Sequence, residues 1–416
     1  MQKIEVEGMH RLHGEVKIQG SKNAVLPILS ACVLNEGETI LYGCPKIQDV
    51  FSMLEVLESA GAKYRWEDSV LILDTSMMKS VPLIEKAGCM RSSVMLLGSF
   101  LARFRKVVLG YPGGCCIGKR PIDLHEQALT AMGAEFCEKE TYLEAKCEML
   151  EGCDVYLPYS SVGVTENILL AAAGASGMTR IYGAAKEPEI VELCKFLTVM
   201  GIRIYGIGTE QLVVMGGKCK HPVEYTICPD RIVAGTYIFA AAAAGGDVLL
   251  KDVPLEHIKS TIQVAGRMGA VLSREKNDVR IQMKKQPKAV PYLYTAPYPG
   301  FPTDLQSPLL ASLCKAEGDC CIEERMFENR FLIVEELKKM GADIRIKDRK
   351  VHIYPVEKLS ASSVEVKDLR GGAALVIAAL SAEGMSKIGP IAPIFRGYED
   401  MVKDLSELGA IIRRIS

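Results

Sequence analysis

Residues 339–346 read Lys339-Met340-Gly341-Ala342-Asp343-Ile344-Arg345-Ile346, and this stretch shows the unit from which the fold of the chain is predicted. An amphipathic helix pattern ends at the glycine, and polar and apolar residues alternate directly after it. Glycine suits the left-handed residue that often ends a helix, and the alternation has the period of a half-buried strand. The stretch therefore predicts a helix that is followed by a strand.

Five other segments carry the same signature of a bulky residue, a glycine and a small or branched residue. The six glycines that mark the copies are Gly61, Gly133, Gly201, Gly269, Gly341 and Gly409. Each of the last three follows its counterpart among the first three by 208 residues. A fixed period of this kind indicates internal repetition. We predict an α/β fold of two similar halves, each made of three α/β modules.

Each module also contains a second helix pattern, which is richer in alanine and leucine. Segments such as 24–34 and 373–382 are apolar on most faces, so we expect these helices to be buried inside their half. Their first turns carry polar residues. The six starts are Ser21-Lys22-Asn23, Met90-Arg91-Ser92, Ser161-Val162-Gly163, Pro229-Asp230-Arg231, Thr303-Asp304-Leu305 and Asp368-Leu369-Arg370.

Lysine or arginine occupies four of these six starts. The N-terminus of a helix is the positive end of its dipole, so it attracts anions and disfavours cations. Ser161 and Thr303 are explained equally well as ordinary N-caps. Capping does not explain Lys22, Arg91 or Arg370, so we expect an anionic ligand near these residues.

The composition restricts the class of partner. The 416 residues include 50 lysines and arginines and 51 aspartates and glutamates, which gives a formal net charge of -1. This balance leaves no basic surface for a nucleic acid. Residues 1–12 lack an apolar stretch of signal-peptide length, and the apolar run 232–244 is too short to span a bilayer. We expect a cytoplasmic protein that binds small molecules, with neither nucleic acid nor membrane as a partner.

One of the 14 cysteines stands apart from the others. Cys115 lies in the glycine-rich stretch Tyr111-Pro-Gly-Gly-Cys115-Cys-Ile-Gly-Lys-Arg-Pro121, close to two cations. Positive neighbours and oriented amides favour the thiolate, which indicates a nucleophile or a proton donor. The cysteines and carboxylates show no spacing typical of a metal site, and there is no nucleotide-binding glycine motif. We therefore expect no metal and no cofactor.

Several arginines fall in predicted loops, among them Arg120, Arg330 and Arg396. Guanidinium groups bind phosphate or carboxylate in a bidentate manner, so a group of them indicates a ligand with more than one anionic group. Such a ligand also needs a general base if a neutral nucleophile is to attack it. Asp304 is the carboxylate best placed for that role, although helix capping explains it equally well.

Taken together, these segments resemble the UDP-N-acetylglucosamine 1-carboxyvinyltransferases, a family of enolpyruvyl transferases. The resemblance runs from end to end. It rests on Gly20-Ser-Lys22-Asn23-Ala, Pro112-Gly-Gly-Cys115, Arg120-Pro-Ile-Asp123-Leu124, Ser161-Val-Gly-Val-Thr165, Pro229-Asp-Arg231-Ile, Phe301-Pro-Thr-Asp304, Phe327-Glu-Asn-Arg330, Asp368-Leu-Arg370 and Arg396-Gly-Tyr398. It implies an inside-out α/β barrel of two pseudo-symmetric domains, residues 1–20 with 229–416 and residues 21–228, and an active site in the cleft between them.

The resemblance also implies the reaction and the residues that carry it. The enolpyruvyl group of phosphoenolpyruvate would pass to the 3-hydroxyl of UDP-N-acetylglucosamine, the first committed step of peptidoglycan synthesis. Cys115 would protonate C3 of phosphoenolpyruvate, Asp304 would accept the hydroxyl proton, and Lys22 and Arg396 would complete the catalytic set. The implied substrate-binding residues are Lys22, Asn23, Arg91, Arg120, Pro121, Ile122, Asp123, Leu124, Ser161, Val162, Gly163, Asp304, Met326, Glu328, Arg330, Asp368, Arg370 and Arg396.

Two alternatives stay open at this point. One is 5-enolpyruvylshikimate-3-phosphate synthase, which shares the fold and the chemistry but lacks the Pro112-Gly-Gly-Cys115 motif. The other is a catalytically silent relative that binds a nucleotide sugar. The chain departs from many family members at Ser99, Tyr159 and Val233, where they have proline, lysine and glutamate. None of the three positions belongs to the implied catalytic set.

Overall fold

The fold is described from a computed structural model. It covers residues 2–88, 90–113, 121–217, 219 and 222–416. These residues divide into two compact units. Unit 1 consists of residues 2–19 and 229–416, and unit 2 consists of the described residues of 20–228. Each unit has a hydrophobic core of its own.

The helices alternate with strands along the chain. The α-helices of the described ranges are α1 (Lys22–Cys32), α2 (Gln48–Ser59), α3 (Glu85–Gly88), α4 (Leu96–Phe104), α5 (Asp123–Ala131), α6 (Val162–Gly174), α7 (Pro188–Val199), α8 (Arg231–Ala244), α9 (Lys259–Arg267), α10 (Gln306–Leu313), α11 (Val334–Lys339), α12 (Leu369–Leu380) and α13 (Met401–Glu407). Short 3-10 helices cover Arg91–Met95, Leu255–His257, Thr303–Leu305 and Ile394–Arg396.

The strands are short, as expected for repeated small modules. They are β1 (Lys3–Glu7), β2 (Leu12–Lys17), β3 (Glu38–Tyr42), β4 (Lys63–Glu67), β5 (Val70–Asp74), β6 (Pro82–Leu83), β7 (Lys106–Gly110), β8 (Glu135–Glu138), β9 (Tyr142–Lys146), β10 (Asp154–Tyr156), β11 (Met178–Tyr182), β12 (Arg203–Tyr205), β13 (Gln211–Met215), β14 (Val223–Thr226), β15 (Gly246–Lys251), β16 (Val271–Glu275), β17 (Asp278–Met283), β18 (Leu293–Tyr294), β19 (Cys320–Glu323), β20 (Asp343–Lys347), β21 (Lys350–Tyr354), β22 (Leu359–Ser360), β23 (Ser363–Glu365), β24 (Ala382–Glu383), β25 (Met385–Gly389) and β26 (Ile411–Ile415).

Every four-stranded sheet in the described ranges repeats one pairing pattern. In β14-β3-β5-β4, for example, the first pair is parallel and the other two pairs are antiparallel. Unit 2 holds this sheet together with β6-β7-β9-β8 and β10-β11-β13-β12. Unit 1 holds β16-β17-β15-β2, β18-β19-β21-β20 and β23-β25-β1-β26. The predicted organisation of three α/β modules in each half is confirmed.

The first two strands complete sheets of unit 1. Strand β1 lies between β25 and β26 and pairs antiparallel with both, and β2 pairs parallel with β15. Both strands therefore bond to residues that lie more than 200 positions further along the chain.

The six repeated glycines have the predicted left-handed conformation. The φ angles of Gly61, Gly133, Gly201, Gly269, Gly341 and Gly409 are +101°, +98°, +100°, +98°, +92° and +80°. A side chain with a Cβ rarely adopts such an angle, so glycine at these positions is a requirement of the backbone. The glycine signature was therefore a correct prediction of where each helix ends and the next strand begins.

The apolar helices are buried, as predicted. All twelve residues of α12 and all of α1 except Asn23 are buried. Four of these helices begin at their predicted polar starts, whereas Arg91 and Thr303 open 3-10 turns that lead into α4 and α10. Among the described residues, no helix combines the length and the apolar character needed to cross a membrane.

Candidate functional site

Asp304 lies between two arginines in unit 1. Its Oδ1 atom accepts a hydrogen bond from Nη2 of Arg330 at 2.6 Å. Its Oδ2 atom accepts from Nη2 of Arg370 at 3.0 Å and from Nε at 3.3 Å. Both arginine side chains are buried, whereas the Asp304 side chain is 24% exposed. The fold thus joins three predicted site residues that are far apart in the sequence.

The two arginines control the protonation of Asp304. Burial alone would raise the pKa of its carboxyl group, but the charges of Arg370 and Arg330 and their hydrogen bonds hold that pKa well below its usual range. Asp304 is therefore ionised at neutral pH. Since its carboxylate is committed to the arginines and does not cap a helix, the alternative explanation of Asp304 as an N-cap is wrong.

A hydrogen-bond network holds Arg370 at the start of α12. The Asp368 carboxylate caps this helix, since it accepts from the backbone N–H groups of Arg370 and Gly371 at 3.0 and 2.9 Å. The Nη1 atom of Arg370 donates to the hydroxyl of Tyr398 at 3.4 Å. That hydroxyl lies 2.8 Å from Oγ1 of Thr236 in α8. The guanidinium is therefore held from both sides before any ligand binds.

Arg330 belongs to the segment that connects β19 to α11. Its guanidinium lies 5.2 Å from the centre of the Phe327 ring. Its Nε atom is buried and has no hydrogen-bond acceptor in the part of the chain that the structure describes. Met326 is half-buried and Glu328 is exposed in the same segment, and Arg396 is half-buried at the end of the 3-10 helix Ile394–Arg396.

Lys22 has an anionic neighbour inside the protein. Its Nζ atom lies 2.7 Å from Oδ2 of Asp49, and both side chains are largely buried. Ser21 caps α1 by accepting the backbone N–H of Ala24 at 3.3 Å, and Asn23 is half-buried beside it. Asp49 is thus an anionic partner of Lys22 inside the protein, and the ligand anion expected at Lys22 from the sequence stays a prediction.

The implied nucleotide-sugar segments lie next to each other in unit 2. Nη2 of Arg91 donates to the carbonyl oxygen of Pro121 at 3.3 Å. The segment Pro121, Ile122, Asp123 and Leu124 leads into α5, and Ser161, Val162 and Gly163 open α6. His125 of α5 lies against the start of α6, because a Cβ atom built on Gly163 would lie 3.4 Å from the Cε1 atom of His125.

Asn167 of α6 fixes the orientation of the His125 ring. Its Nδ2 atom lies 2.8 Å from Nδ1 of His125 and also donates to the carbonyl oxygen of Val94 at 2.8 Å. Its Oδ1 atom accepts the backbone N–H of Gly98 at 2.7 Å. Since the Asn167 amide nitrogen donates, Nδ1 of His125 accepts, and a neutral ring carries its proton on Nε2.

Two predicted catalytic or binding residues, Cys115 and Arg120, lie outside the described residues. The structure joins Asp304, Arg330 and Arg370 into one group in unit 1, the Asp304 cluster, and it brings Arg91 next to Pro121 in unit 2. Sequence reasoning missed Asp49, His125, Tyr398 and the carboxylate of Glu324. His125 directly follows Leu124, Tyr398 ends the Arg396-Gly-Tyr398 motif, and Glu324 precedes Met326 by two residues, so proximity to a motif was the available signal for these three. Asp49 had no such signal.

Within the described ranges, no group of three histidine, cysteine, aspartate or glutamate side chains is arranged to hold a metal ion. The groups that the structure offers to a ligand are guanidinium and carboxylate side chains and helix N-termini. These can bind anions, orient a hydroxyl group and accept a proton.

Known proteins are similar to this chain in sequence over nearly its whole length. The family described as EPSP synthase (3-phosphoshikimate 1-carboxyvinyltransferase) matches residues 6–405. A protein from Caldanaerobacter subterraneus subsp. tengcongensis, named UDP-N-acetylglucosamine 1-carboxyvinyltransferase 2, is 44% identical over 416 residues, which cover 100% of both chains. A protein from Halothermothrix orenii, named UDP-N-acetylglucosamine 1-carboxyvinyltransferase, is 42% identical over 416 residues and again covers 100% of both.

Solved structures share the fold at lower identity. The enolpyruvyl transferase NikO from Streptomyces tendae superposes with a TM-score of 0.89 at 23% identity, covering 100% of this chain and 99% of that one. EPSP synthase from Acinetobacter baumannii superposes with a TM-score of 0.77 at 20% identity, covering 100% of both. The predicted fold class is confirmed.

Proposed function

The chain belongs to the UDP-N-acetylglucosamine 1-carboxyvinyltransferase family, and from this membership we propose that it transfers the enolpyruvyl group of phosphoenolpyruvate to the 3-hydroxyl of UDP-N-acetylglucosamine, with release of phosphate. The observation that carries the proposal is the Asp304 carboxylate, which is held ionised between Arg330 and Arg370. This cluster offers a proton acceptor and fixed positive charge in one place, as the transfer requires.

The proposed reaction begins with a proton transfer from the Cys115 thiol to C3 of phosphoenolpyruvate. Positive charge then develops at C2, and the sugar hydroxyl oxygen forms a bond to C2 while its proton passes to Asp304. The tetrahedral ketal breaks its C2–O bond to phosphate, and the leaving phosphate takes the proton from Asp304. C3 returns a proton to the Cys115 thiolate as the double bond forms again. The products are phosphate and the enolpyruvyl ether of the nucleotide sugar.

The low pKa of Asp304 suits a late proton transfer. A base that is paired with two arginines is always ionised but accepts a proton weakly. The hydroxyl proton becomes acidic only as its oxygen bonds to the electron-poor C2 atom, so a weak base suffices at that stage. The paired arginines also keep the carboxylate from turning away from the hydroxyl that it must orient.

Both substrates are anions, so the site must offset their repulsion. We assign Lys22, Arg120 and Arg396 to phosphoenolpyruvate, with Asn23 and Arg370 beside them. Arg91, residues 121–124, residues 161–163 and Met326 are assigned to the nucleotide sugar. Fixed cations that bind both reactants convert an encounter of like charges into a reaction within one complex. We also propose that the product serves peptidoglycan synthesis and that the reaction takes place in the cytoplasm.

One assay tests the proposed function. Phosphate release from phosphoenolpyruvate is measured with UDP-N-acetylglucosamine and, separately, with shikimate 3-phosphate as acceptor. We expect turnover with the nucleotide sugar alone. Turnover with shikimate 3-phosphate alone would assign the chain to the sister activity. Phosphate release with neither acceptor, from a folded protein that binds the nucleotide sugar, would show a silent relative.

A further inference from the structure

The carboxylate of Glu324, directly after β19, is buried and accepts four hydrogen bonds. Glu324 is 1% exposed. Its Oε1 atom accepts from the backbone N–H groups of Met326 at 2.7 Å and Phe327 at 3.1 Å, and from Oγ1 of Thr295 at 2.9 Å. Its Oε2 atom accepts from Oγ1 of Thr303 at 2.9 Å. A carboxylate removed from water to this degree is retained only with its lone pairs satisfied.

Three of these bonds connect two of the three stretches of chain that form the Asp304 cluster. Met326 and Phe327 begin the segment that carries Arg330, and Thr303 immediately precedes Asp304. The ion pair between Arg330 and Asp304, at 2.6 Å, therefore bridges segments that Glu324 already ties together. The hydroxyl of Thr295 adds a further bond to the same segment, because it accepts the backbone N–H of Arg325 at 2.9 Å.

The geometry excludes a simple packing role for this side chain. An apolar residue of similar size at position 324 would leave two backbone N–H groups and two hydroxyl groups without their acceptor. Each unpaired buried group costs about 1–3 kcal/mol. All four donors are groups of the protein itself, so Glu324 acts on neighbouring protein segments.

We propose that Glu324 is a positioning residue, which holds the Asp304 carboxylate and the Arg330 guanidinium in the relative position that the enolpyruvyl transfer requires. This inference rests on the proposed function. A shift of Asp304 by about 1 Å would misplace the proton acceptor, and misplacements of that size cost up to about 10²-fold in rate. The loss should fall on kcat, because most residues assigned to the nucleotide sugar belong to unit 2, whereas Glu324 bonds to segments of unit 1.

The test uses two threonines that donate to the same carboxylate. Thr303→Val removes the hydrogen bond that leads to Asp304 and keeps the side-chain shape. Thr295→Val removes a bond of the same kind and length that leads to the strand edge, together with the acceptor of the Arg325 backbone N–H, so it is a control that disturbs at least as many hydrogen bonds. The measurements on the full-length protein are kcat, KM for each substrate and the melting temperature.

We expect Thr303→Val to lower kcat about tenfold with KM changed by less than about threefold, and Thr295→Val to keep kcat near that of the wild type. Glu324→Gln should retain most activity. Its amide oxygen can replace Oε1, and its amide group can donate to the Thr303 hydroxyl. Glu324→Ala should lose more activity than Thr303→Val. An unchanged kcat for Thr303→Val, or equal losses in both threonine variants, would overturn the proposal.

A crystal structure of Thr303→Val provides a readout that does not depend on turnover. We expect the Asp304 carboxylate to move away from its wild-type contact with Arg330. A contact kept at its original separation would contradict the positioning role even if the activity fell. Failure of the proposed function is distinct, since it would appear as a wild-type protein that releases no phosphate.

Discussion

At the scale of the residue, the paired arginines give Asp304 two properties that usually conflict. The carboxylate is always available as a proton acceptor, and it is held in one place. The basicity of Asp304 is correspondingly low, because the charges of Arg370 and Arg330 outweigh the effect of burial and lower the pKa of its carboxyl group. The low basicity is sufficient, because the sugar hydroxyl becomes acidic as its oxygen bonds to the electron-poor C2 atom.

We expect Asp304→Ala to lower kcat by about 10² or more, the range that is typical for a general base. The affinity for UDP-N-acetylglucosamine, measured by calorimetry, should fall far less, because the substitution removes an interaction made chiefly in the transition state. Since the folded pKa is lowered, the wild-type kcat should show no loss from Asp304 protonation as the pH falls from 8 to 5. Equal losses in kcat and affinity would mean that Asp304 only binds.

Cys115 and its neighbour Cys116 differ in their expected roles. We expect Cys115→Ser to abolish turnover and covalent modification by an epoxide such as fosfomycin, because a serine hydroxyl is a far weaker acid and nucleophile than a thiol. Cys116→Ser should leave both nearly intact and is the matched control. Labelling followed by mass spectrometry checks the site. Modification found on Cys116 would refute the assignment.

Among the elements, packing of α8 against the 3-10 helix Thr303–Leu305 keeps the Asp304 turn in place. Gly235 in α8 lies against Leu305, and a Cβ atom built on it would come within 2.3 Å of the Leu305 Cδ1 atom. Leu305 is completely buried and directly follows Asp304. A side chain at position 235 would therefore displace Leu305 and disturb the turn that carries Asp304.

Gly235→Ala should destabilise the protein by about 1–3 kcal/mol through overpacking, which exceeds the gain of about 1 kcal/mol in helix propensity. It should also lower kcat, because Leu305 must move. The control is Gly266→Ala in α9, where a Cβ atom would meet nothing within 4 Å, so a neutral or slightly stabilising effect is expected. Urea unfolding and the phosphate-release assay measure both variants. Similar unfolding free energies for the two would count against this account.

The elements themselves were largely predictable from the sequence. The six repeated glycines mark local helix ends, and the apolar helices follow from composition within a dozen residues, so both depend on neighbours in the sequence. The pairing of Asp304 with Arg330 and Arg370 joins positions 26 and 66 residues away, and no local pattern encodes it. The same holds for Lys22 with Asp49, where the sequence showed the cation but not the acid that neutralises it.

At the scale of the whole molecule, the chain starts in unit 1, forms unit 2 and returns. Ile4 in β1 is completely buried and pairs with Ile388 of β25 and Arg414 of β26. Leu41 in β3 is also completely buried and pairs with residues of β14 and β5. The two positions are equivalent in burial and belong to different units.

Ile4→Ala truncates a core side chain and should lower the free energy of unfolding by about 2–5 kcal/mol. We expect it to speed amide hydrogen exchange in residues 385–389 and 411–415. Exchange in residues 38–74 should stay unchanged. Leu41→Ala should give the reverse pattern, with faster exchange in 70–74 and 223–226. Exchange that rises uniformly across the chain in either variant would show that the units unfold as one.

The position of β1 also sets an order for synthesis. The strands that pair within unit 2 lie between residues 38 and 226, so its sheets can close while the ribosome is still translating unit 1. Strand β1 is translated long before its partners in residues 385–415, so it stays unpaired until they have emerged. At about 5–20 residues per second this wait is on the order of 20 to 80 s. During that interval Ile4 and Val6, which are completely buried in the folded protein, have no sheet in which to pack, so we expect this segment to stay accessible to a chaperone until unit 1 is finished.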